Sequence, residues 1–307
     1  MPIQLHAPGP EPIKLAPIWP SAGVRAWYED QLGKLITEMN GSIRTGMLRV
    51  YETAPLPILP VTFPNGEMNH VLDTLEQHWD EVFDDKAEDI AFGAIYRALR
   101  HHDLAFAASL KRVGIDLPAP EPADHTEVAL DSQETTKHIW SAFSVKFDVT
   151  DRLKKAIKAQ LRDNVDLISS RAIKGGPSIP RKAFGDIRKM AKESVERGRS
   201  LVEFTKDLED RFAITRRRAS LIARDQNNKM TAAFHRTRQL DTGITEAEWV
   251  HTSASLHPRE DHEAFDGEEY PVETGHDFDD GFGPVLPGEA INCGCLSSSI
   301  VPGYRSA

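Results

Sequence analysis

Between Glu248 and Cys295 the chain gathers the side chains best suited to bind a metal or move a proton. His251, His257, His262 and His276 lie there with Cys293 and Cys295, the two cysteines of the chain. Thiolate sulfur and imidazole nitrogen are the usual ligands of zinc, which takes four of them in a tetrahedron. The most economical set is His257, His262, Cys293 and Cys295, with a structural zinc ion as the cofactor. A disulfide between cysteines one residue apart would close a small strained ring, so the Cys-x-Cys spacing suits a metal better. The competing reading is that the cysteines are small buried apolar residues. His262 and Arg259 would then simply hydrogen-bond Asp266 and the backbone.

The same stretch allows a second chemistry. His251, His257, Asp261, His262 and Asp266 could form the site of a metal-dependent nuclease. Zinc held by four protein ligands is closed to substrate, however, and Asp266-Gly267 reads more simply as a turn. The sequence holds no phosphate-binding glycine loop, no Gly-x-Ser-x-Gly and no His-Glu-x-x-His. A non-enzymatic role is therefore expected.

The elements that position these residues follow from composition and spacing. The chain has 307 residues, 40% hydrophobic and 27% charged, which suits a globular protein of two or three domains. No apolar run approaches the ~20 residues of a membrane helix, and the first ten residues do not read as a secretory signal. Net charge is −10. Its distribution is uneven: residues 1–150 and 241–307 are acidic, while residues 151–240 carry 23 basic against 11 acidic side chains. Arg216, Arg217, Arg218, Arg224, Arg236 and Arg238 are the candidates for contact with nucleic acid or a partner. A basic helical face docked on an acidic one is the plainer reading.

Six prolines in residues 1–20 predict an extended arm lying on another part of the molecule. Residues 21–115 form an N-terminal helical region, with one helix from Trp27 to about Tyr51 and another from about Glu67 to Val113. Residues 116–149 are a proline-marked linker and mixed segment. Residues 150–243 form a basic helical region. Within it Thr150 is expected to cap a helix to Ser169, and a second helix runs from Arg181 to Gly198. Ser200-Leu201-Val202-Glu203 spells a capping box, and Thr215 is expected to cap a further, longest helix ending near Gly243. Residues 244–307 change texture, with short strand-like runs at Trp249-Val250, Tyr270-Val272, Pro284-Leu286 and Ser299-Val301. The expected fold class is mainly α: a multi-helix body with a small α+β, loop-rich C-terminal module.

The order of these features resembles the phage Mu F-like head morphogenesis family, the minor head proteins, over about residues 200–301. The resemblance rests on Arg224-Asp225-Gln226-Asn227 and Phe234-His235-Arg236 on a helix. Glu248-Trp249-Val250-His251-Thr252, Arg259-Glu260-Asp261-His262, Asp266-Gly267, Pro287-Gly288 and Cys293-Gly294-Cys295 follow. The arginine usual between the family's closing cysteines is a glycine here. The resemblance implies a structural protein that binds portal or major capsid protein during procapsid assembly and aids DNA packaging or delivery. It implies residence in the virion head, and in the host cytoplasm during assembly. Packaged DNA is a further partner; a membrane or small-molecule substrate is not expected. The alternatives are a metal-dependent nuclease and a DNA-contacting ejection protein. Residues 1–150 match nothing in the resemblance.

Overall fold

Helical spacing of apolar residues dominates the first two-thirds of the chain, and the computed structural model turns it into five long helices. It describes residues 4–53, 65–117, 147–169, 179–196, 201–252, 258–281 and 283–303. The helices are α1 (Ala22–Thr53), α2 (Asn65–Arg112), α3 (Asp151–Ile168), α4 (Ile179–Glu196) and α5 (Leu201–Asp241). A five-residue helix, α6 (Glu260–Ala264), follows. Four strands complete the described elements: β1 (Ile13–Lys14), β2 (Glu246–Val250), β3 (Glu269–Pro271) and β4 (Leu296–Val301). They form one antiparallel sheet in the order β1-β4-β2-β3. A mainly helical protein with a small α+β C-terminal module is what the sequence predicts. Among the described residues, no helix is long and apolar enough to cross a membrane.

Two compact units make up the chain, and they do not follow its linear order. One comprises residues 1–25, 93–160 and 224–307; the other comprises residues 26–92 and 161–223. The second unit is helical. On α1, Tyr28, Leu32, Leu35, Ile36, Met39, Ile43 and Met47 are buried at three- and four-residue spacing, so one face is continuously apolar. Trp79, Phe83, Phe184, Phe204 and Phe212 fill the same core type from α2, α4 and α5. The buried Tyr28 hydroxyl donates to Asn164 Oδ1 at 2.7 Å, which satisfies both groups away from water. Arg188 pairs with Asp73 and Glu76, and Arg211 with Asp186. Part of the basic surplus of residues 151–240 is therefore neutralised within this unit.

The first unit contains the sheet. The proline-rich arm lies on it, as expected: Ile13 and Lys14 pair with Val301 and Ile300, and Leu5, Leu15 and Ile18 are buried. These three pack with Phe106, Leu110, Phe147, Ile244 and Val301. Proline cannot donate to a ladder, so the arm pairs over only two residues, with further single bonds from Ala7 N to Pro302 O and Leu15 N to Ser299 O at 2.9 Å. Thr150 caps α3, accepting from Leu153 N at 3.1 Å. Gly243 ends α5 at φ +77°, a left-handed backbone that favours glycine.

The stretch from about Glu67 to Val113 is one helix, as expected. Two local expectations change. Thr215 caps nothing, because α5 runs unbroken from Leu201 to Asp241. Its hydroxyl instead donates to Arg211 O one turn back, the bond a threonine makes inside a continuing helix. Pro284-Leu286 supplies only a single bridge, between Val285 and His276. The Ser200 cap, the Gly198 terminus and most of the 116–149 segment lie outside the described residues.

A polar network is buried inside the first unit, where an apolar core would be the default. Arg238 is 1% exposed and Asp103 is fully buried. The guanidinium donates to both carboxylate oxygens at 3.0 and 2.7 Å, and to Asp148 O at 2.6 Å. His102 Nδ1 lies 3.2 Å from Asp103, and its Nε2 lies 3.0 Å from His235 Nδ1. His235 Nε2 in turn lies 3.2 Å from the Ser299 hydroxyl. An ionised Asp103 can only accept, so with neutral rings the protons run in one direction: His102 donates to Asp103, His235 to His102, and Ser299 to His235. Burial pushes both imidazoles below their usual range, His235 furthest. Burial also works to raise Asp103, but its hydrogen bond to His102 and the charge of Arg238 outweigh it and hold the carboxyl low.

Two outcomes follow for stability. Replacing Arg238 by Ala leaves Asp103 charged, buried and short of partners, and should cost about 3–5 kcal/mol in chemical denaturation. The second outcome concerns pH. Depressed histidines bind fewer protons folded than unfolded, so their contribution is complete above the unfolded value of about 6.5 and is lost progressively as pH falls from there toward their lower folded values. The loss should reach at most about 1.4 kcal/mol per pH unit for each histidine. Thermal melts between pH 7 and pH 5 should show the decline, and His235→Gln should flatten it.

Candidate metal centre

The site begins with Trp249. Strand β2 alternates, so Ala247 and Trp249 face inward together, and Trp249 is fully buried. Edge-to-face rings surround the indole: His262 at 5.0 Å, Phe278 at 5.4 Å, Tyr270 at 5.7 Å and Phe265 at 5.8 Å. His262 also stacks on Phe278 at 4.8 Å. This aromatic box fixes the plane of the His262 ring. Below it, Asp266-Gly267 forms the expected turn, with Gly267 at φ +84°. The turn is fastened twice to β2: Gly267 N donates to Trp249 O at 2.8 Å, and His251 N donates to Asp266 Oδ1 at 2.7 Å.

The short helix α6 raises His262 toward the cysteines. His262 is 3% exposed, Cys293 3% and Cys295 4%. Cys293 Sγ lies 3.6 Å and Cys295 Sγ 3.7 Å from the same atom, His262 Nδ1. Cys295 Sγ is also 3.6 Å from His251 Nδ1. The three ligand atoms of His262, Cys293 and Cys295 all lie within 4.8 Å of one another, a group able to hold a metal ion.

Electrostatics favour one thiolate in this pair. The Cys295 thiol beside it brings Cys293 below the ordinary thiol range; burial opposes this and the His262 hydrogen bond adds to it. Cys293 in turn, with burial, pushes Cys295 up. The indole N–H of Trp249 makes no full hydrogen bond, yet it lies where it favours a Cys295 thiolate.

The loop carrying the cysteines is held by α5, through Asp225, which the sequence marked only as part of a motif, and Asn228, which it did not mark. Asp225 Oδ1 accepts from Asn292 N at 2.6 Å, and Asn228 Nδ2 donates to Cys293 O at 3.1 Å. Lys229 pairs with Asp225 at 2.8 Å. Asn292 sits at φ +57°, a turn that this anchor stabilises. From the other side Thr252 Oγ1 donates to Gly294 O at 2.7 Å. Two residues three apart on one helix, Asp225 and Asn228, therefore hold the Cys-x-Cys loop. The only signal in the sequence was that both motifs occur together.

The candidate ligands divide accordingly. His262, Cys293 and Cys295 converge; His257 lies outside the described residues. His251, grouped at first with nuclease candidates, is the second histidine at the cysteines. Asp266 is taken up by the His251 backbone, and Arg259 donates to Ile291 O at 3.3 Å. His276 stacks on Phe265 at 3.8 Å.

The arginines expected to meet nucleic acid or a partner are placed differently from one another. Arg238 is the buried partner of Asp103, which rules out a surface role for it. Arg236 donates to Val272 O at 3.1 Å and to Glu273 O, fastening the C-terminal module to α5. Arg224 and Arg218 are half-buried, while Arg216 and Arg217 are exposed. Arg216, Arg217 and Arg218 fall in one unit; Arg224, Arg236 and Arg238 fall in the other.

Replacing Asp225 by Ala should remove the anchor of the cysteine loop. A hydrogen bond to a charged acceptor contributes roughly 1.5–3 kcal/mol. Hydrogen exchange should quicken at Asn292 and Cys293, with exchange in the helical unit of residues 26–92 and 161–223 unchanged.

Residues 185–298 match the family model described as Phage Mu protein F like protein. The resemblance drawn from the motifs of residues 200–301 is thus borne out over this segment. An uncharacterised protein of Haemophilus influenzae is 23% identical over 296 residues, which is 94% of this chain and 56% of that protein. The chain therefore spans little more than half the length of this curated relative. No solved structure matches it.

Proposed function

We propose that the chain is a phage minor head protein, a structural factor of head morphogenesis. The observation that carries this reading is the Phage Mu F-like match over residues 185–298. That segment spans the end of the helical region and nearly all of the C-terminal module, including Trp249, His262 and both cysteines. The physical joining of its motifs supports treating them as one working part, since Asp225 and Asn228 of α5 hold the closing cysteine loop.

In this reading the protein attaches to portal or major capsid protein while the procapsid forms in the host cytoplasm, and remains in the virion head. The N-terminal half, outside the matched segment, supplies the docking surface. Exposed Arg216 and Arg217 are available to packaged DNA during packaging or delivery. The role is structural rather than enzymatic. The cluster of His262, Cys293 and Cys295 holds a structural zinc ion, which stabilises a module too small for a large apolar core.

The test is co-purification. Procapsids assembled with a tagged portal protein should carry this protein through mild disassembly, bound to portal or shell. Its deletion should lower the yield of DNA-filled heads. Heads that assemble, fill and infect normally without it, together with its absence from purified procapsids, would end this reading.

A further inference from the structure

We infer that His251 is the fourth ligand of a closed zinc site with His262, Cys293 and Cys295. The inference rests on reading the cluster as a metal site and adds the residue that completes it. In a tetrahedron with zinc–sulfur of ~2.3 Å and zinc–nitrogen of ~2.0–2.1 Å, sulfur and nitrogen ligands stand about 3.6 Å apart. Three of the four sulfur–nitrogen pairs in this set stand 3.6, 3.6 and 3.7 Å apart.

Hydrogen bonding alone explains this arrangement less well. Both sulfurs approach one atom, His262 Nδ1, which has a single lone pair to offer when neutral. Only one thiol can donate to it fully, and Cys295 is divided between His262 Nδ1 at 3.7 Å and His251 Nδ1 at 3.6 Å. A shared cation at the centre serves all of these atoms at once.

His251 is placed to close the set. It directly follows β2, and its backbone is pinned by Asp266 while its ring remains half-buried beside Cys295. It stands outside the three-way cluster, so its ring must rotate inward for its nitrogen to join. No carboxylate belongs to the cluster among the described residues. The resulting site joins three parts that are distant in sequence: the end of β2, helix α6 and the loop before β4. With four protein ligands it has no position left for water or substrate, which makes it a clasp.

The experiment uses the full chain, freed of any affinity tag and loaded with zinc or cobalt(II). Wild type should carry one zinc by elemental analysis, and Cys293→Ser and His262→Ala should lose it. His251→Ala should weaken zinc in chelator competition by at least the ~10–100-fold that loss of a mere supporting partner costs. His257→Ala should leave it unchanged. His251→Cys keeps a ligand there even where the alanine variant fails to fold. It raises the thiolate count on cobalt from two to three, so sulfur-to-cobalt charge-transfer absorbance should rise by about half.

Zinc-free wild type after loading would overturn the metal reading itself. Zinc bound by wild type and by His251→Ala with equal strength, or no charge-transfer gain in His251→Cys, would overturn His251 as ligand while leaving the metal in place.

Discussion

Arg238 and Asp103 form an ion pair that the surrounding unit has to accommodate. Both are buried, and the cost of desolvating two charges is recovered only when geometry is good and the remaining donors are satisfied. Here the guanidinium has both carboxylate oxygens, the Asp148 carbonyl and the Phe147 ring within 5.0 Å. Asp103 is then free to receive His102, and through it His235 and Ser299. The network thus runs from α2, through α5, to strand β4. A shift of α5 by one residue would leave each of these buried groups without its partner, so the pair sets the register of the unit as well as linking its parts.

The same helix serves the metal centre. Its last turns place His235 and Gln239 on the sheet, where His235 Nε2 lies 3.2 Å from the Ser299 hydroxyl and Gln239 Nε2 donates to Ser297 and Ser299 at 3.0 and 2.9 Å. Its earlier turns place Asp225 and Asn228 on the cysteine loop. Serines on β4 would weaken an apolar core; facing a polar stripe of α5 they become hydrogen-bond partners. The unusual polarity of both partners is therefore one feature, distributed over two elements. The cysteine loop inherits its position from a helix whose orientation the buried ion pair fixes. Within the module the aromatic box around Trp249 acts separately, orienting His262 by packing.

Much of this could be read from residue order. Apolar spacing marked α1 and α2, Thr150 marked the start of α3, and Asp266-Gly267 marked its turn. The crowding of histidine and cysteine after residue 248 identified the stretch that became the candidate centre. Other features were not legible, for identifiable reasons. Thr215 carries the same side chain whether it caps a helix or bonds one turn back inside it. Arg238 has the composition of a surface cation, and only the placement of Asp103 on another helix makes it a core residue. His251 belonged with the cysteines through the path of β2, which sequence spacing cannot measure.

The sequence alone determined the local periodicities, the turn positions, the ligand types available and the resemblance to Mu F-like proteins. Those depend on chemistry within a few residues or on motifs in order. Tertiary structure alone decided which ligands converge, which arginines are buried, and which helix holds the cysteine loop. Each of these pairs groups far apart along the chain, as with Asp103 and Arg238 or Asp225 and Asn292. Such pairings are set by how elements pack, since the energy of a buried polar group depends on the partner that packing brings to it.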